Sequence, residues 1–305
     1  MPRHHAAAIL IALAATACDG RDPSVVIPTA PTAPAPVAVA APPPPPASGI
    51  AIAGYVYDTG FRRLDGAIVE VVNGPNAGKR ATTLSNGEFF LFGEFDGDTE
   101  FRATKDGYQS GLKKLGPRCA PCNPNFWVFF YLGLTAAPPA DIAGNYLLTV
   151  TADDACTALP PEARSRTYTA TIVAEANQPT PADTYFRGRT GAASLVTDLA
   201  WEGLWFAVAG NYIEVTAGDL HGQPGLLEEI APRTYFSFGG IGQTTLESPG
   251  TTAIRSLFEG EIVYCVLKPD VALLDGDRRY NCNADRAVTQ VVCPSFKHQL
   301  IFTRR

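Results

Sequence analysis

Apolar and polar residues alternate along most of the chain from residue 49 onward, with a period of two. This period is typical of β-strands that bury one face. Turn sequences such as residues 85–87 (SNG) and 106–107 (DG) separate the alternating runs. The alternation therefore predicts at least six short strands in residues 49–134, enough for a small β-sandwich. The predicted inward-facing residues are Ile50, Ile52, Val56, Ala67, Val69, Val71, Phe89, Leu91, Phe101, Ala103, Phe126, Val128, Phe130 and Leu132.

The same alternation resumes at residue 141 and continues to the C-terminus, after a Pro-stiffened joint at 135–140 that should hold the two domains close. Tyr146, Leu148 and Val150 form one apolar face, and threonines at 167, 169 and 171 suit a solvated face. Eight strands in residues 141–305 predict an up-and-down antiparallel β-barrel or a strongly bent sandwich. The remaining predicted strands are 184–190, 203–209, 211–217, 233–239, 255–267 and 297–304, and only 225–230 suggests a helix.

One strand departs from simple alternation, because residues 126–131 (FWVFFY) are apolar on both faces. Tyr55 and Tyr57 extend the second apolar face. Two interpretations of Trp127 and Tyr131 stay open. They pack against the second domain or beneath the loop that contains Cys119, or they form an aromatic platform for sugar rings or an apolar partner.

Composition strengthens the all-β prediction, since 28 Gly and 26 Pro stand against a single Met. Hydrophobic residues at 46% can fill a core, and charged residues make up only 18%. The net charge is −6, and without residues 1–17 the chain keeps 23 basic and 30 acidic side chains, a net charge of −7. This is the wrong sign for tracking phosphates, so nucleic acid is excluded as a partner.

Residues 1–17 resemble a secretory signal, with Arg3 ahead of an apolar run that is too short to span a bilayer as a helix. The end of this segment, ATAC at 15–18, resembles a bacterial lipoprotein signal, which implies that Cys18 is the lipidated first residue of the mature protein. Ala15 and Ala17 also complete a site for ordinary signal cleavage. We expect an exported protein attached to a membrane of the bacterial cell envelope through the lipid on Cys18.

Residues 18–48 read as this anchor followed by a tether, because residues 21–48 hold ten prolines in 28 positions. Such a segment cannot bury a core. As polyproline II it rises about 3.1 Å per residue and would span roughly 90 Å. A stiff spacer and a disordered linker without a required length are both compatible with this composition.

Six cysteines remain after Cys18, an even number that suits disulfides in an oxidising compartment. Cys119 and Cys122 stand two residues apart in a Pro-rich insert, where we expect a structural disulfide rather than thiol exchange or a zinc site. In a closed barrel the first and last strands are antiparallel neighbours, so Cys156 should meet Cys293. Cys265 and Cys282 would then close the loop between them.

Residues 49–134 also resemble a known family. Four segments carry the likeness in the family's order, together with FRA at 101–103: GYVYD at 54–58, GAIVEV at 66–71, TLSNGEFFL at 83–91 and GY at 107–108. They are similar to the carboxypeptidase regulatory-like domain. The resemblance implies a prealbumin-like, Greek-key sandwich, structurally near starch-binding modules, that accompanies enzymes or receptors without catalysing a reaction. The insert at 116–124 and Leu84 depart from the family's pattern.

Catalytic chemistry finds little support in the sequence. After signal removal only His221 and His298 could serve as a histidine base, and neither lies in a recognisable motif. Residues 74–79 (GPNAGK) have the wrong spacing for a phosphate loop and predict a hairpin turn. Carboxylate pairs at 96 and 98, and at 275 and 277, lack the distal Glu of a calcium loop and predict solvated turns. We therefore expect no enzyme, no metal and no cofactor.

Together these observations predict a non-catalytic, lipid-anchored cell-envelope protein that acts as a binding or structural module. Its expected partners are the membrane, through Cys18, and a polysaccharide or another envelope protein. Carbohydrate binding would involve Trp127 and Tyr131. The alternative is a carrier whose C-terminal barrel encloses a small apolar ligand.

Overall fold

The computed structural model describes residues 50–115, 126–175, 181, 183–190, 195–196, 203–218, 226–247, 252–272 and 282–305. Within these ranges the chain forms seventeen strands and one short helix, which confirms the all-β prediction. None of the described helices is long and apolar enough to cross a membrane. Several predictions fall outside the described residues: the signal and tether at 1–48 with Cys18, the pair Cys119 and Cys122, His221, and the carboxylates at 275 and 277.

The N-terminal domain is a sandwich of two small sheets. One sheet has the order β4-β1-β7 and the other β3-β2-β5-β6. Strand β1 lies at the centre of the first sheet, antiparallel to β4 and parallel to β7. The bounds are β1 Ile50–Asp58, β2 Ile68–Asn73, β3 Arg80–Thr82, β4 Glu88–Gly93, β5 Glu100–Thr104, β6 Gly111–Lys114 and β7 Phe126–Leu132.

The core between the two sheets contains all of the predicted inward-facing residues except Ile50 and Phe126, whose side chains lie outside the described part of the structure. Ile52 and Val56 from one sheet and Val69 and Phe101 from the other are fully buried. Gly54 is needed for close packing in β1, since a Cβ there would lie 2.0 Å from the Val128 carbonyl oxygen. Residues 74–79 connect β2 to β3, which confirms the predicted hairpin turn.

The C-terminal domain is a closed antiparallel barrel of eight strands, as the sequence predicts. Each strand pairs with the next in the order β8-β9-β10-β12-β13-β15-β16-β17, and β17 pairs with β8 to close the ring. The bounds are β8 Gly144–Thr151, β9 Ser165–Ala174, β10 Tyr185–Thr190, β12 Gly203–Ala209, β13 Tyr212–Gly218, β15 Thr234–Thr245, β16 Ala253–Leu267 and β17 Ala287–Arg304.

Large side chains fill the interior of the barrel. Phe206 packs edge-on against Phe302 with ring centroids 5.2 Å apart, and Phe302 in turn meets the ring of Tyr146. An eight-stranded barrel is just wide enough for its interior to be filled in this way. The outer positions of β9 at Thr167, Thr169 and Thr171 are exposed, as predicted.

Two disulfides involve the paired strands β16 and β17 of the barrel. Cys156 is bonded to Cys293, 137 residues away in sequence, and Cys265 is bonded to Cys282. Both pairings are those predicted from strand order. The first is possible because β8 and β17 are antiparallel neighbours, with Thr151 opposite Gln299.

The prediction of a helix at 225–230 is wrong, because Leu226–Ala231 forms strand β14. This strand pairs with the first half of β15, whereas β13 pairs with its second half. Its Glu228 is buried and is bound by the guanidinium of Arg166 and the hydroxyl of Tyr168, both from β9. Sequence reasoning also missed β6 Gly111–Lys114, β11 Leu195–Val196, which pairs with β14, and helix α1 Pro161–Arg164.

The sandwich and the barrel contact each other through the turn that follows β1. The Thr59 hydroxyl donates a buried hydrogen bond to the Val208 carbonyl oxygen at 2.7 Å. Gly60 lies against Tyr212, so closely that a Cβ would come within 2.7 Å of the ring. Beyond the sandwich, the Ala140 backbone N–H donates to the Gly210 carbonyl oxygen at 2.9 Å. The described residues of both domains thus belong to one compact unit.

Candidate functional site

The outer side of sheet β4-β1-β7 carries a continuous surface of aromatic rings. We call this surface the aromatic face. Trp127 is 49% exposed, and Phe90, Phe92 and Phe129 are also classed as exposed. Ala53 on the central strand lies between Phe90 and Trp127 in the sheet register, so a small side chain separates two large rings. The aromatic face consists of Tyr55, Phe90, Phe92, Trp127 and Phe129.

Three of these rings have nearly parallel planes and pack against one another. The Tyr55 ring stacks with Trp127 at 5.7 Å and an interplanar angle of 5°. Phe129 stacks with Tyr55 at 6.2 Å and with Trp127 at 6.4 Å, at angles of 15° and 16°. Parallel rings in mutual contact, of which Trp127 and Phe129 are exposed, form one shared apolar surface rather than separate side chains. Such a surface can receive the flat apolar face of a sugar ring.

The aromatic row continues beyond this face into the contact with the barrel. Tyr131 meets Phe61, which in turn meets Tyr185 of the barrel, with centroids 5.5 and 5.8 Å apart. Tyr185 then stacks on Trp205. We call Phe61, Tyr131, Tyr185 and Trp205 the junction cluster.

The two open interpretations of the aromatic strand therefore apply to different residues. Trp127 lies at the exposed end of the row, whereas Tyr131 lies at the domain contact. Burial raises the pKa of Tyr131, and it raises that of Tyr185 to about 12, so both phenols stay neutral. The Tyr131 end thus packs against the second domain.

A pocket of about 310 Å³ adjoins the aromatic face between strands β6 and β7. Phe129 and Tyr131 form its apolar wall. Gln109, Ser110 and Lys113 add polar groups that can donate hydrogen bonds. Pro181, from the segment between β9 and β10, lines another side.

Charged groups border the aromatic face on both sides. The guanidinium of Arg63 lies 5.4 Å from the centre of the Tyr55 ring. On the β4 side, the Tyr55 hydroxyl donates to the Glu88 carboxylate at 3.4 Å, and the Asn86 amide donates to the same carboxylate at 3.2 Å. Lys113 lies on the opposite side, in the pocket. The face is thus an apolar surface with polar groups at its edges, which is typical of ligand sites.

The other sequence candidates have structural roles in the described residues. Both ring nitrogens of His298 are engaged, since Nδ1 accepts from the Asp153 backbone N–H and Nε2 donates to the Cys293 carbonyl oxygen. His298 also lies near Cys156 and Cys293, but the disulfide removes both thiolates as metal ligands. Asp96 accepts hydrogen bonds from the residues of its own turn, and Asp98 pairs with Lys114.

Sequence reasoning missed several residues of the site. Phe90 and Phe92 stand at alternate positions in residues 88–92 (EFFLF), next to the core residues Phe89 and Leu91. That run is apolar on both faces, which is the same signal that identified Trp127. Arg63, Gln109, Ser110 and Lys113 gave no such signal, because the sequence shows them only as polar residues near turns.

No protein-family model matches the chain, and no curated protein matches it either. The resemblance of residues 49–134 to the carboxypeptidase regulatory-like domain therefore stays a prediction. The site is interpreted below from its own geometry.

Proposed function

We propose that this protein is a non-catalytic, lipid-anchored cell-envelope protein whose aromatic face binds carbohydrate. The observation that carries the proposal is the mutual stacking of Tyr55, Trp127 and Phe129, with nearly parallel ring planes, on an exposed sheet surface. Stacked rings bury large apolar area with little loss of side-chain freedom, because the rings already hold one another in place. The hydroxyl and indole groups at their edges can bond to sugar hydroxyls.

The location rests on the chemistry of the cysteines and on the N-terminal sequence. Two disulfides in the barrel are typical of an oxidising, extracytoplasmic compartment. The lipoprotein-like sequence at 15–18 supports an anchor on Cys18, and the Pro-rich tether would hold the aromatic face away from the membrane.

The alternative of a small-ligand carrier has less support. The barrel interior is occupied by fully buried rings such as Phe206, Phe236 and Phe302. The exposed aromatic surface belongs to the sandwich, which therefore is the better candidate for the binding domain.

Substituting Trp127 by alanine tests the proposal. We expect Trp127→Ala to weaken binding to polysaccharide by about tenfold, since stacking of a ligand ring on an aromatic side chain is worth about 1–3 kcal/mol. The melting temperature should change little, because half of the side chain is already exposed. Binding of the full-length protein in detergent would be measured on a glycan array and by titration calorimetry.

Phe296→Ala provides the matched control. Phe296 is an exposed ring on the barrel, 71% accessible and outside the aromatic face. Its removal should leave carbohydrate binding unchanged. A wild-type protein that binds no glycan, or a Trp127→Ala variant that binds as well as wild type, would contradict the proposal.

A further inference from the structure

We propose that the pocket beside the aromatic face receives the carboxylate of an acidic polysaccharide whose sugar rings lie on that face. This inference rests on the proposed carbohydrate binding and names the class of ligand.

The first observation is the chemistry of the pocket lining. Lys113, Gln109 and Ser110 supply ammonium, amide and hydroxyl donors at the pocket wall. Among the described residues that line the pocket, none has a carboxylate. A lining with many donors and one positive charge is suited to an anionic group, and a charge-assisted hydrogen bond is stronger than a neutral one.

The second observation is that Lys113 has no ion-pair partner in the described part of the chain. Its neighbour Lys114 is paired with Asp98, with Nζ and Oδ1 2.8 Å apart. Glu70, the other carboxylate on this sheet with basic partners, binds Arg80 and Arg102 instead. Lys113 is therefore free to bind an anion without breaking an existing pair.

The third observation is continuity between the pocket and the face. Phe129 belongs to both, and its ring stacks on Trp127 and Tyr55. A polymer that lies on the rings can therefore extend a charged group into the pocket. Arg63, which also lacks an ion-pair partner within the described residues, places a second positive charge beside Tyr55.

A preference for an acidic polysaccharide must come from positive charge at the site itself, because the chain as a whole is acidic. A net charge of −6 repels a polyanion at long range. Only a site whose own groups are positive would favour an acidic polymer over a neutral one. Glu88 borders the face on the β4 side, whereas the pocket lies on the β7 side, so this carboxylate does not line the pocket.

The test compares two polymers that differ only at the carboxyl group, which is charged in one and a neutral methyl ester in the other. Polygalacturonate and its fully methyl-esterified form share one backbone, and titration calorimetry would measure binding of each to the full-length protein in detergent. We expect the acid to bind more tightly. Lys113→Gln should weaken binding of the acid by about fivefold and leave binding of the ester unchanged.

Two control variants separate a specific site from general attraction. Lys114→Gln removes the neighbouring charge, whose ammonium is held by Asp98, and should not change the affinity. Lys113→Arg keeps the charge and should retain most of the preference for the acid. An equal loss of affinity in Lys113→Gln and Lys114→Gln would overturn the inference, since it would reflect only the loss of one positive charge.

The outcomes also distinguish this inference from the proposed function. If both polymers bind equally and only Trp127→Ala weakens them, carbohydrate binding stands and the acidic preference is wrong. If neither polymer binds but neutral glycans do, the inference is again wrong. If no glycan of any kind binds, the proposed function itself fails.

Discussion

His298 shows how a single buried side chain in the barrel is held by hydrogen bonds to neighbouring backbone groups. Its ring is fully buried beside Phe258, with centroids 5.0 Å apart. Because the Cys293 carbonyl oxygen can only accept, Nε2 must carry the proton, and Nδ1 then accepts from Asp153. Burial lowers the pKa of His298, although the Cys293 hydrogen bond and the Asp153 carboxylate partly oppose this.

This lowered pKa predicts a loss of stability in mild acid. The unfolded histidine, with a pKa of 6.5, binds a proton that the folded ring resists. The stability that the folded protein gains from keeping His298 neutral is therefore complete above pH 6.5, and it is lost as the pH falls through the lower pKa of the folded state. We expect the urea midpoint of wild type to fall between about pH 7.5 and about pH 5.

His298→Gln is the informative variant, because an amide can accept and donate but does not titrate in this range. We expect it to reduce the drop in urea midpoint. The pKa of the neighbouring Asp153 is lowered by its hydrogen bond from Ser295, so that carboxylate loses its contribution only in stronger acid. Parallel pH profiles for wild type and variant would show that His298 does not cause the acid sensitivity.

At the scale of elements, β17 determines how the barrel is closed. Its last residues pair with β8, while its first half extends past the end of β8 and pairs with β16 alone. The Cys156–Cys293 bond joins this first half to the segment between β8 and β9. Ser295 strengthens the contact by donating to the Asp153 carboxylate at 2.5 Å.

Removing the two disulfides one at a time should therefore lower the free energy of unfolding by different amounts. The Cys156–Cys293 bond encloses 137 residues and the Cys265–Cys282 bond 17. By chain entropy we expect losses of about 5 and about 3 kcal/mol in the free energy of unfolding. Double Cys→Ala variants compared by urea unfolding would measure both. A larger loss for the shorter loop would show that local packing, rather than loop closure, dominates.

At the scale of the whole molecule, the junction cluster joins two domains that each have their own core. Phe61 reaches from the sandwich to the barrel and adopts a positive φ of 62°. Beside it, Arg62 pairs with the buried Asp58 at 2.6 Å and lies over the Tyr212 ring of the barrel. The turn that follows β1 thus contacts β10, β12 and β13 of the barrel.

Phe61→Ala should loosen this contact. Alanine accepts the left-handed backbone about as poorly as phenylalanine does, so the change mainly removes the ring. We expect a loss of about 2 kcal/mol, less than for a fully buried Phe, and separate unfolding of sandwich and barrel. Differential scanning calorimetry would resolve a single transition in wild type and two in the variant. Phe90→Ala, an exposed ring on the same domain, is the control and should keep one transition.

The sequence by itself determined most of the strands and many of the buried faces, although it predicted a helix where Leu226–Ala231 forms a strand. Period-two alternation depends only on neighbouring residues, so it identified the inward faces of both domains and all eight barrel strands. Strand order then determined the Cys156–Cys293 pairing, because a closed barrel makes its first and last strands neighbours. The aromatic strand was recognisable because Trp127, Phe129 and Tyr131 repeat on the face that a sandwich strand usually exposes.

Only the tertiary structure decided where charged and aromatic residues meet partners that are distant in sequence. Glu228 lies in a segment that the sequence predicted to be helical, and only the structure shows that Arg166 and Tyr168, about 60 residues earlier, bind it. Tyr131 is covered and Trp127 exposed because Phe61 and Tyr185 reach only one end of the row. Lys113 and Lys114 are equivalent in sequence, but Asp98 pairs with only one of them. Such contacts depend on how two sheets and a barrel pack, which no local pattern records.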